Sequence, residues 1–124
     1  MTWGHPAIGI FNCIDYGADQ TGTQDSSAAL QQAIDQAAAY NGGQGGVVQV
    51  PPGTYLCADV KMRPQVTLQG MGSWGYRTQG SCVLKALPGA KQCILDLSDA
   101  FSCTVCGITA DGDGQGELLH GFYF

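Results

Sequence analysis

The chain has 124 residues, enough for one small domain, and only 12% of them are charged. Five basic residues stand against ten acidic ones, so the chain offers no basic surface for nucleic acid, which is not expected as a partner. No apolar run approaches the roughly 18 residues that cross a membrane, so a membrane partner is not expected either. The first residues lack the basic and apolar regions of a signal peptide, which favours the cytoplasm; secretion would require that a leader had been removed.

The first elements in chain order are a short strand, a loop and a helix. Residues 11–16 have the pattern of a strand, and the glycines and polar residues of 17–23 predict a loop. Asp25 or Ser26 then supplies the N-cap of a helix over about 26–40, which Asn41-Gly42-Gly43 ends. Apolar residues spaced i, i+3, i+4, i+7 and i+8 predict one buried stripe on this helix: Leu30, Ala33, Ile34, Ala37 and Ala38.

After the helix, the sequence predicts only short strands separated by Gly, Pro, Asn or Asp. These strands are residues 47–50, 54–58, 65–69, 82–86, 93–97, 104–109 and 121–124. Many short strands suit a β-sandwich or a solenoid, but most connections are too long and irregular for the tight hairpins of a sandwich. One helix followed by strands favours a solenoid, with the helix covering the open end of the coil and its unpaired strand edges.

The cysteines are predicted to be packing residues. The six of them would permit three disulfides, but without a signal peptide most are expected to be buried, reduced thiols. Cys103 and Cys106 form a single C-x-x-C within a sequence that has the pattern of a strand. A zinc ribbon would need a second such pair, so this one is also interpreted as structural.

Four ordered blocks of sequence resemble one large superfamily. They are Asp15-Tyr16-Gly17-Ala18-Asp19 with residues 22–30, then 46–55, 66–72 and 107–112. Together they resemble the pectate lyase and polygalacturonase-like superfamily. The resemblance implies an all-β fold, a short right-handed parallel β-helix with one N-terminal capping α-helix. It implies one domain over 1–124, with the helix at about 26–40 and strands and turns over 47–124, as the N-terminal part of a longer protein.

The resemblance also implies a carbohydrate-active protein whose partner is a polysaccharide or oligosaccharide. The longer protein would be a polysaccharide lyase, a glycoside hydrolase or a fructan-processing transferase. Catalytic carboxylates of the superfamily usually lie on central coils, so the chain up to Phe124 is expected to lack a complete active site. Its acidic balance leans towards a neutral glycan. The alternatives are a glycan-binding module of a phage tail or surface spike, and a structural fragment that mediates assembly.

The densest polar sequence runs from Asp111 to Glu117. Asp111, Asp113 and Glu117 are candidate calcium ligands, and calcium is the only cofactor that the sequence suggests. The spacing fails as an EF-hand, because Phe122 stands where the bidentate glutamate is required. A solvated, glycine-rich turn is the simpler interpretation. Asp111 and Asp113 are also candidates for an acid–base pair.

Asp96 and Asp99 are the other catalytic candidates, because cleavage of a glycosidic bond typically uses two carboxyl groups. Strand alternation points Asp96 outward, where a solvated position is the simpler interpretation. Trp74, Tyr76 and Arg77 are candidate substrate-binding residues, since aromatic rings stack on sugars and an arginine donates to their hydroxyls. The alternative for the two aromatics is packing over the flank of the coil.

His5 and His120 stand apart from any recognisable base or nucleophile and are assigned no role. The residues before the end of the sequence are predicted to form a last rung with no visible cap: Leu118, Leu119, Phe122, Tyr123 and Phe124. Unpaired backbone groups beside exposed aromatic side chains favour pairing with another chain. The sequence therefore predicts a small homo-oligomer of undetermined symmetry.

Overall fold

The computed structural model describes residues 8–72, 81–115, 118 and 120–124. Over these residues the chain forms one α-helix and eleven short strands, with 3-10 turns at Cys13–Tyr16 and Tyr40–Gly43. In chain order the elements are β1 (Ile10–Asn12), β2 (Thr21–Asp25), α1 (Ser27–Ala39), β3 (Val47–Val50), β4 (Gly53–Cys57), β5 (Val60–Lys61), β6 (Thr67–Gly70), β7 (Cys82–Ala86), β8 (Cys93–Asp96), β9 (Thr104–Cys106), β10 (Thr109–Asp111) and β11 (His120–Tyr123).

The strands form three sheets in which every pairing is parallel. Sheet A has the order β1-β3-β6-β9, sheet B has β10-β7-β4-β2, and sheet C has β11-β8-β5. After α1 the chain visits sheets A, B and C in turn, three times over, so each coil adds one strand to every sheet. This confirms the predicted short right-handed parallel β-helix with one N-terminal helix.

The interior is built from columns of apolar side chains, and each coil contributes one side chain to a column. In sheet A the register places Phe11, Val48, Leu68 and Val105 in one column. In sheet C the corresponding column is Val60, Leu95 and Phe122. Stacking like side chains on successive coils gives a continuous core, which is what stabilises a solenoid.

Tyr55 of sheet B is the largest fully buried side chain among the described residues. Its hydroxyl donates a hydrogen bond to the Pro51 carbonyl at 2.6 Å, which satisfies the polar group in the interior. Nearby, Gly53 has a φ of 155°, and a Cβ at this position would lie 2.7 Å from the Gln20 Cβ. The Pro-Pro-Gly corner between β3 and β4 therefore requires glycine, because the preceding coil leaves no room for a side chain.

The helix α1 has the predicted apolar stripe. Leu30, Ala33, Ile34 and Ala37 are completely buried, and Ala38 is half-buried. In the first coil the chain passes from β2 of sheet B directly into α1, so the helix takes the place of a strand of sheet C. The predicted covering of one end of the coil by this helix is confirmed.

The first helical turn uses both predicted N-cap residues in different ways. The N-cap position is Ser26, and the preceding Asp25 carboxylate accepts from the Ser27 N–H at 2.9 Å in an Asx turn. The Ser26 hydroxyl accepts instead from the Asp19 N–H at 2.9 Å and ties the helix start to the loop before β2.

Asp19 organises that loop. Its carboxylate accepts from the N–H and the hydroxyl of Thr21, from the same two groups of Thr23, and from the Gln24 N–H, at 2.6–3.1 Å. These hydrogen bonds, the one from the Thr21 hydroxyl first, lower the pKa of Asp19 well below its ordinary value. Residues 17–23 were predicted as a loop, but Thr21–Asp25 forms β2, an exposed strand without the apolar alternation that identifies one.

Two predicted strands differ from the structure by more than two residues. The strand predicted over 11–16 ends at Asn12, whose side chain accepts from the Ile14 N–H at 2.8 Å and starts the 3-10 turn. The strand predicted over 104–109 is divided between sheets A and B. Gly107, with a φ of 69°, turns the chain between the two pieces. The two-residue strand β5 was not predicted at all.

All six cysteines are unpaired, as predicted. Four of them are buried, namely Cys13, Cys57, Cys82 and Cys93. Burial raises the pKa of Cys13 and Cys57 to about 12 and, with the Asp59 carboxylate nearby, that of Cys93 to about 11. Cys103 lines a cavity at the end of the coil opposite α1 while Cys106 is exposed, so the C-x-x-C pair does not form one metal site. Among the described residues, no helix has the length and apolarity that would let it cross a membrane.

Candidate functional site

The acidic loop after β10 ties neighbouring coils together. The Asp111 carboxylate accepts from the Asp113 N–H at 2.9 Å, and Asp113 forms an ion pair with Lys85 of β7 at 3.5 Å. The Gln115 side chain accepts from the Gly89 N–H at 3.0 Å. The side chains of Asp113 and Gln115 thus connect the acidic loop to the preceding coil, as expected of a structural turn.

Of the three candidate calcium ligands, Asp111 and Asp113 lie among the described residues. Glu117 lies outside the described residues, and so do the three candidate substrate-binding residues Trp74, Tyr76 and Arg77. Within residues 8–72, 81–115, 118 and 120–124, no three His, Cys, Asp or Glu side chains are grouped so that they could hold a metal ion. Asp111 and Asp113 therefore have no third ligand of these types grouped with them among the described residues.

Asp96 ends β8 on the outside of sheet C, as alternation predicted. Its carboxylate accepts from the Ser98 N–H at 2.9 Å, and this bond, followed by that of the Ser98 side chain and by the Lys61 ammonium, lowers the pKa of Asp96. A general acid needs a pKa raised towards the working pH, so Asp96 is suited to accept hydrogen bonds as an anion. Asp99 lies exposed in the next turn, and Asp111 and Asp113 follow sheet B instead.

A group of polar and aromatic side chains lies on the outside of sheet C. Lys61, Asp96 and Tyr123 are register partners on three successive coils. The preceding residue of each strand, Val60, Leu95 or Phe122, belongs to the interior column, so alternation directs the three partners outward. Together with His120, whose exposed ring contacts the Tyr123 ring although alternation places it on the side of Phe122, they define what is called here the sheet C outer face.

His120 completes this face. Its ring lies against the Tyr123 ring, with centroids 5.0 Å apart and planes inclined by 35°. Both side chains are exposed. At the rim, the Cys93 thiol lies 3.7 Å from a carboxylate oxygen of Asp59, which precedes β5. The strands of sheet C thus present an aromatic pair, a cation and an anion on one surface.

These groups match the chemistry of a sugar. Exposed aromatic rings offer an apolar face with polar edges, on which a pyranose ring can pack. A lysine ammonium donates up to three hydrogen bonds and a carboxylate accepts several, which suits rows of hydroxyl groups. The described residues of this face therefore provide groups that can bind a sugar.

The sequence alone did not reveal the sheet C outer face. His120 was assigned no role, Tyr123 was placed in an exposed last rung, and Lys61 was not considered. The three register partners lie 35 and 27 residues apart, because loops of different length connect the coils. A constant repeat would have aligned them, but this chain has none that is visible.

The end of the coil opposite α1 is open among the described residues. A cavity of about 370 Å³ lies there, lined by Leu97, Ala100, Cys103, Val105, Phe122 and Phe124. The strands β9, β10 and β11 each pair on one side only, and Phe124 is 82% exposed. Tyr123 and Phe124 are exposed as expected, whereas Phe122 is partly buried and Leu119 lies outside the described residues.

Comparison with known families adds to this geometry. Residues 10–84, more than half of the chain, match the family described as rhamnogalacturonase A/epimerase, pectate lyase-like. The chain belongs to this family. The predicted resemblance to the pectate lyase-like superfamily is thereby confirmed.

The relatives include carbohydrate-active enzymes of greater length. The mannuronan C5-epimerase AlgE6 of Azotobacter vinelandii is 32% identical over 105 residues, which are 85% of this chain and 11% of that protein. The structure of its A-module superposes with a TM-score of 0.72 at 26% identity, over 90% of this chain and 31% of the module. The chain therefore spans about one third of that module.

Two other solved structures are similar over most of this chain. The catalytic unit of a GH87 α-1,3-glucanase from Streptomyces thermodiastaticus strain HF3-3 has a TM-score of 0.50 at 28% identity, covering 85% of this chain and 22% of that one. PfbA, a surface adhesin of Streptococcus pneumoniae, has a TM-score of 0.55 at 26% identity, covering 70% of this chain and 18% of that one.

Proposed function

We propose that the chain forms the N-terminal coils of a carbohydrate-active β-helix protein and that the sheet C outer face binds the polysaccharide. The observation that carries this proposal is the row of Lys61, Asp96 and Tyr123 on successive coils, with the His120 ring beside it. Family membership and the enzymes among the relatives support a glycan as the ligand.

The geometry favours an extended ligand over a small one. Strands of adjacent coils are about 4.8 Å apart, so three coils present their outer side chains over about 10 Å, the length of roughly two sugar units. A glycan lying across the coils would contact Tyr123, Asp96 and Lys61 in turn. The arrangement supplies binding and orientation, and bond-breaking groups would come from further coils of a longer protein.

The names of two relatives indicate two candidate glycan ligands for this face. Mannuronan is the polymer named for AlgE6, and α-1,3-glucan is the polymer named for the Streptomyces enzyme. The net charge of −5 favours a neutral chain such as the glucan, whereas the local Lys61 ammonium favours carboxylate groups. Oligosaccharides of both polymers therefore form the test panel.

The test is an affinity measurement by calorimetry for each oligosaccharide, with two variants of the face and two matched controls. Lys61→Ala and Tyr123→Ala should each weaken binding about three- to thirtyfold, as expected for loss of a charged hydrogen bond or an aromatic contact. Lys85→Ala on sheet B and Phe101→Ala in the turn before β9 remove similar groups elsewhere and should leave affinity unchanged. Equal affinity for all five proteins would exclude this face as the binding site.

A glycan-binding module without catalysis is the second candidate. The similarity to PfbA, a surface adhesin, favours it, because that chain shares the fold at 26% identity. Both candidates predict binding at the sheet C outer face. They differ in turnover: an enzyme would convert the bound glycan once further coils supply catalytic groups, whereas a module would release it unchanged.

Two further proposals concern assembly and location. For the 124-residue chain by itself, we propose a small homo-oligomer formed through the outer edges of β9 to β11, each of which pairs on one side only, and through the apolar cavity beside them; in a longer protein, further coils would cover this surface instead. Sedimentation at micromolar concentration tests it, and a monomer of about 12.9 kDa that Phe122→Asp does not change would contradict it.

We also propose a reducing compartment such as the cytoplasm, supported by six unpaired cysteines. Mass spectrometry of the native protein that finds three disulfides would contradict this location.

A further inference from the structure

The capping helix α1 contacts the strand that carries Lys61. Ser27, Gln31 and Asp35 are spaced four residues apart and form one row along the helix. The Ser27 hydroxyl accepts from the Ala58 N–H at 3.0 Å, just before β5. Gln31 contacts β5 itself, at Lys61. This polar row therefore follows the free edge of the shortest strand of sheet C.

Gln31 replaces a neighbouring strand for Lys61. Its side-chain oxygen accepts from the Lys61 N–H at 2.7 Å, and its side-chain nitrogen donates to the Lys61 carbonyl at 2.9 Å. Among the described strands, β5 pairs only with β8, so this edge has no ladder of its own. A primary amide offers the same donor and acceptor as a peptide group and satisfies both backbone groups.

The Gln31 amide is itself held in one orientation. Its nitrogen also donates to the Asp35 carboxylate at 3.2 Å, and the same carboxylate oxygen pairs with Arg63 at 3.1 Å. Asp35 and Arg63 are about half exposed, so their ion pair alone contributes little to stability. Exchanging the amide oxygen and nitrogen would nevertheless disrupt the bonds to Lys61 and to Asp35 together.

We propose that Gln31 is a positioning residue for Lys61 in glycan binding. The strand β5 has two residues, so few ladder bonds fix the backbone that carries Lys61 beside its register partner Asp96 on the sheet C outer face. The Gln31 amide restrains this backbone from the edge of β5 that lies opposite β8. This inference rests on the proposed function of the sheet C outer face and assigns the capping helix a part in it.

The test compares substitutions of glutamines on the same helix. Gln31→Ala removes the amide, Gln31→Met removes it while retaining the length of the side chain, and Gln36→Ala alters an exposed glutamine of α1 as the control. The first readout is hydrogen exchange of the Lys61 N–H by NMR, with the Leu84 N–H in sheet B reporting global opening. The second is affinity for the mannuronan or α-1,3-glucan oligosaccharide that the unmodified chain binds best.

Both Gln31 variants should speed exchange at Lys61 about tenfold relative to Leu84, because the donor loses its acceptor. Both should weaken glycan binding about three- to tenfold, the effect of one or two hydrogen bonds, and Gln36→Ala should change neither value. The comparison with Leu84 keeps the test valid for a variant that is less stable overall.

Three results would overturn the inference. Unchanged exchange at Lys61 would show that Gln31 does not restrain it. Faster exchange with unchanged affinity, while Lys61→Ala still weakens binding, would reject the positioning role and leave the proposed binding face intact. If neither Lys61→Ala nor Tyr123→Ala weakens binding, the binding face is wrong, and the role of Gln31 in binding falls with it.

Discussion

Tyr123 is the register partner of Asp96 on the adjacent coil, and the Tyr123 carbonyl accepts from the Leu97 N–H at 2.6 Å. This pairing places an exposed ring beside an anionic carboxylate on the outside of sheet C. The two residues are 27 positions apart in sequence and belong to strands that share an interior column. The coil thereby turns separated residues into one surface, which we propose as the glycan-binding face.

The first prediction concerns the buried face of α1. Leu30→Ala should lower the free energy of unfolding by about 2–5 kcal/mol, because it leaves a cavity in the core beneath the helix. Gln36→Ala on the exposed side should change it by less than about 0.5 kcal/mol. Urea denaturation measures both. A loss below about 0.5 kcal/mol for Leu30→Ala would show that this face is not packed.

The second prediction concerns stability in acid. The folded pKa of Asp19 is lowered, so its contribution is present above its unfolded pKa of about 3.9 and is lost as the pH falls towards the folded pKa. Asp19→Asn should destabilise the chain at pH 7 and reduce the loss of stability between about pH 4 and pH 2. Asp99→Asn, an exposed carboxylate in another turn, is the control. Parallel pH profiles for the unmodified chain and Asp19→Asn would refute the role of the Asp19 hydrogen bonds.

The third prediction concerns the buried thiols in alkali. Burial raises the pKa of Cys57 to about 12, so the folded chain retains a proton that the unfolded chain loses above about pH 8.5. The free energy of unfolding should fall as the pH rises from about 8.5 to 11, and that of Cys57→Ala should fall less steeply. Cys106→Ala, which removes an exposed thiol, is the matched control. Identical slopes for all three proteins would show that the Cys57 thiol is not desolvated.

The fourth prediction concerns turnover. The chain alone should not convert pectin, alginate or inulin at an enzyme-like rate, because it spans only about one third of the AlgE6 A-module that it resembles and is expected to lack a complete active site. Product analysis by mass spectrometry after prolonged incubation measures this. Turnover that is lost in Asp96→Asn or Asp111→Asn would instead locate a complete active site within these coils.

The fold followed from the sequence more fully than the candidate site did. The buried stripe of α1 and the family blocks are local patterns, and local patterns are visible in a single sequence. The strand β5 was missed because two residues carry no periodicity, and β2 was missed because its residues are exposed and polar. Lys61 and Asp96 could not be placed with Tyr123 because their proximity depends on register between coils, which variable loop lengths conceal.

NMR chemical-shift mapping of the residues that contact a bound glycan tests the central claim most directly. The chain would be titrated with mannuronan and α-1,3-glucan oligosaccharides while the backbone and side-chain signals are followed by NMR. The account predicts that the largest changes occur at Lys61, Asp96, His120 and Tyr123, with Thr54 and Lys85 on the outside of sheet B unchanged. Changes centred on sheet B, or no change with any oligosaccharide at millimolar concentration, would contradict it.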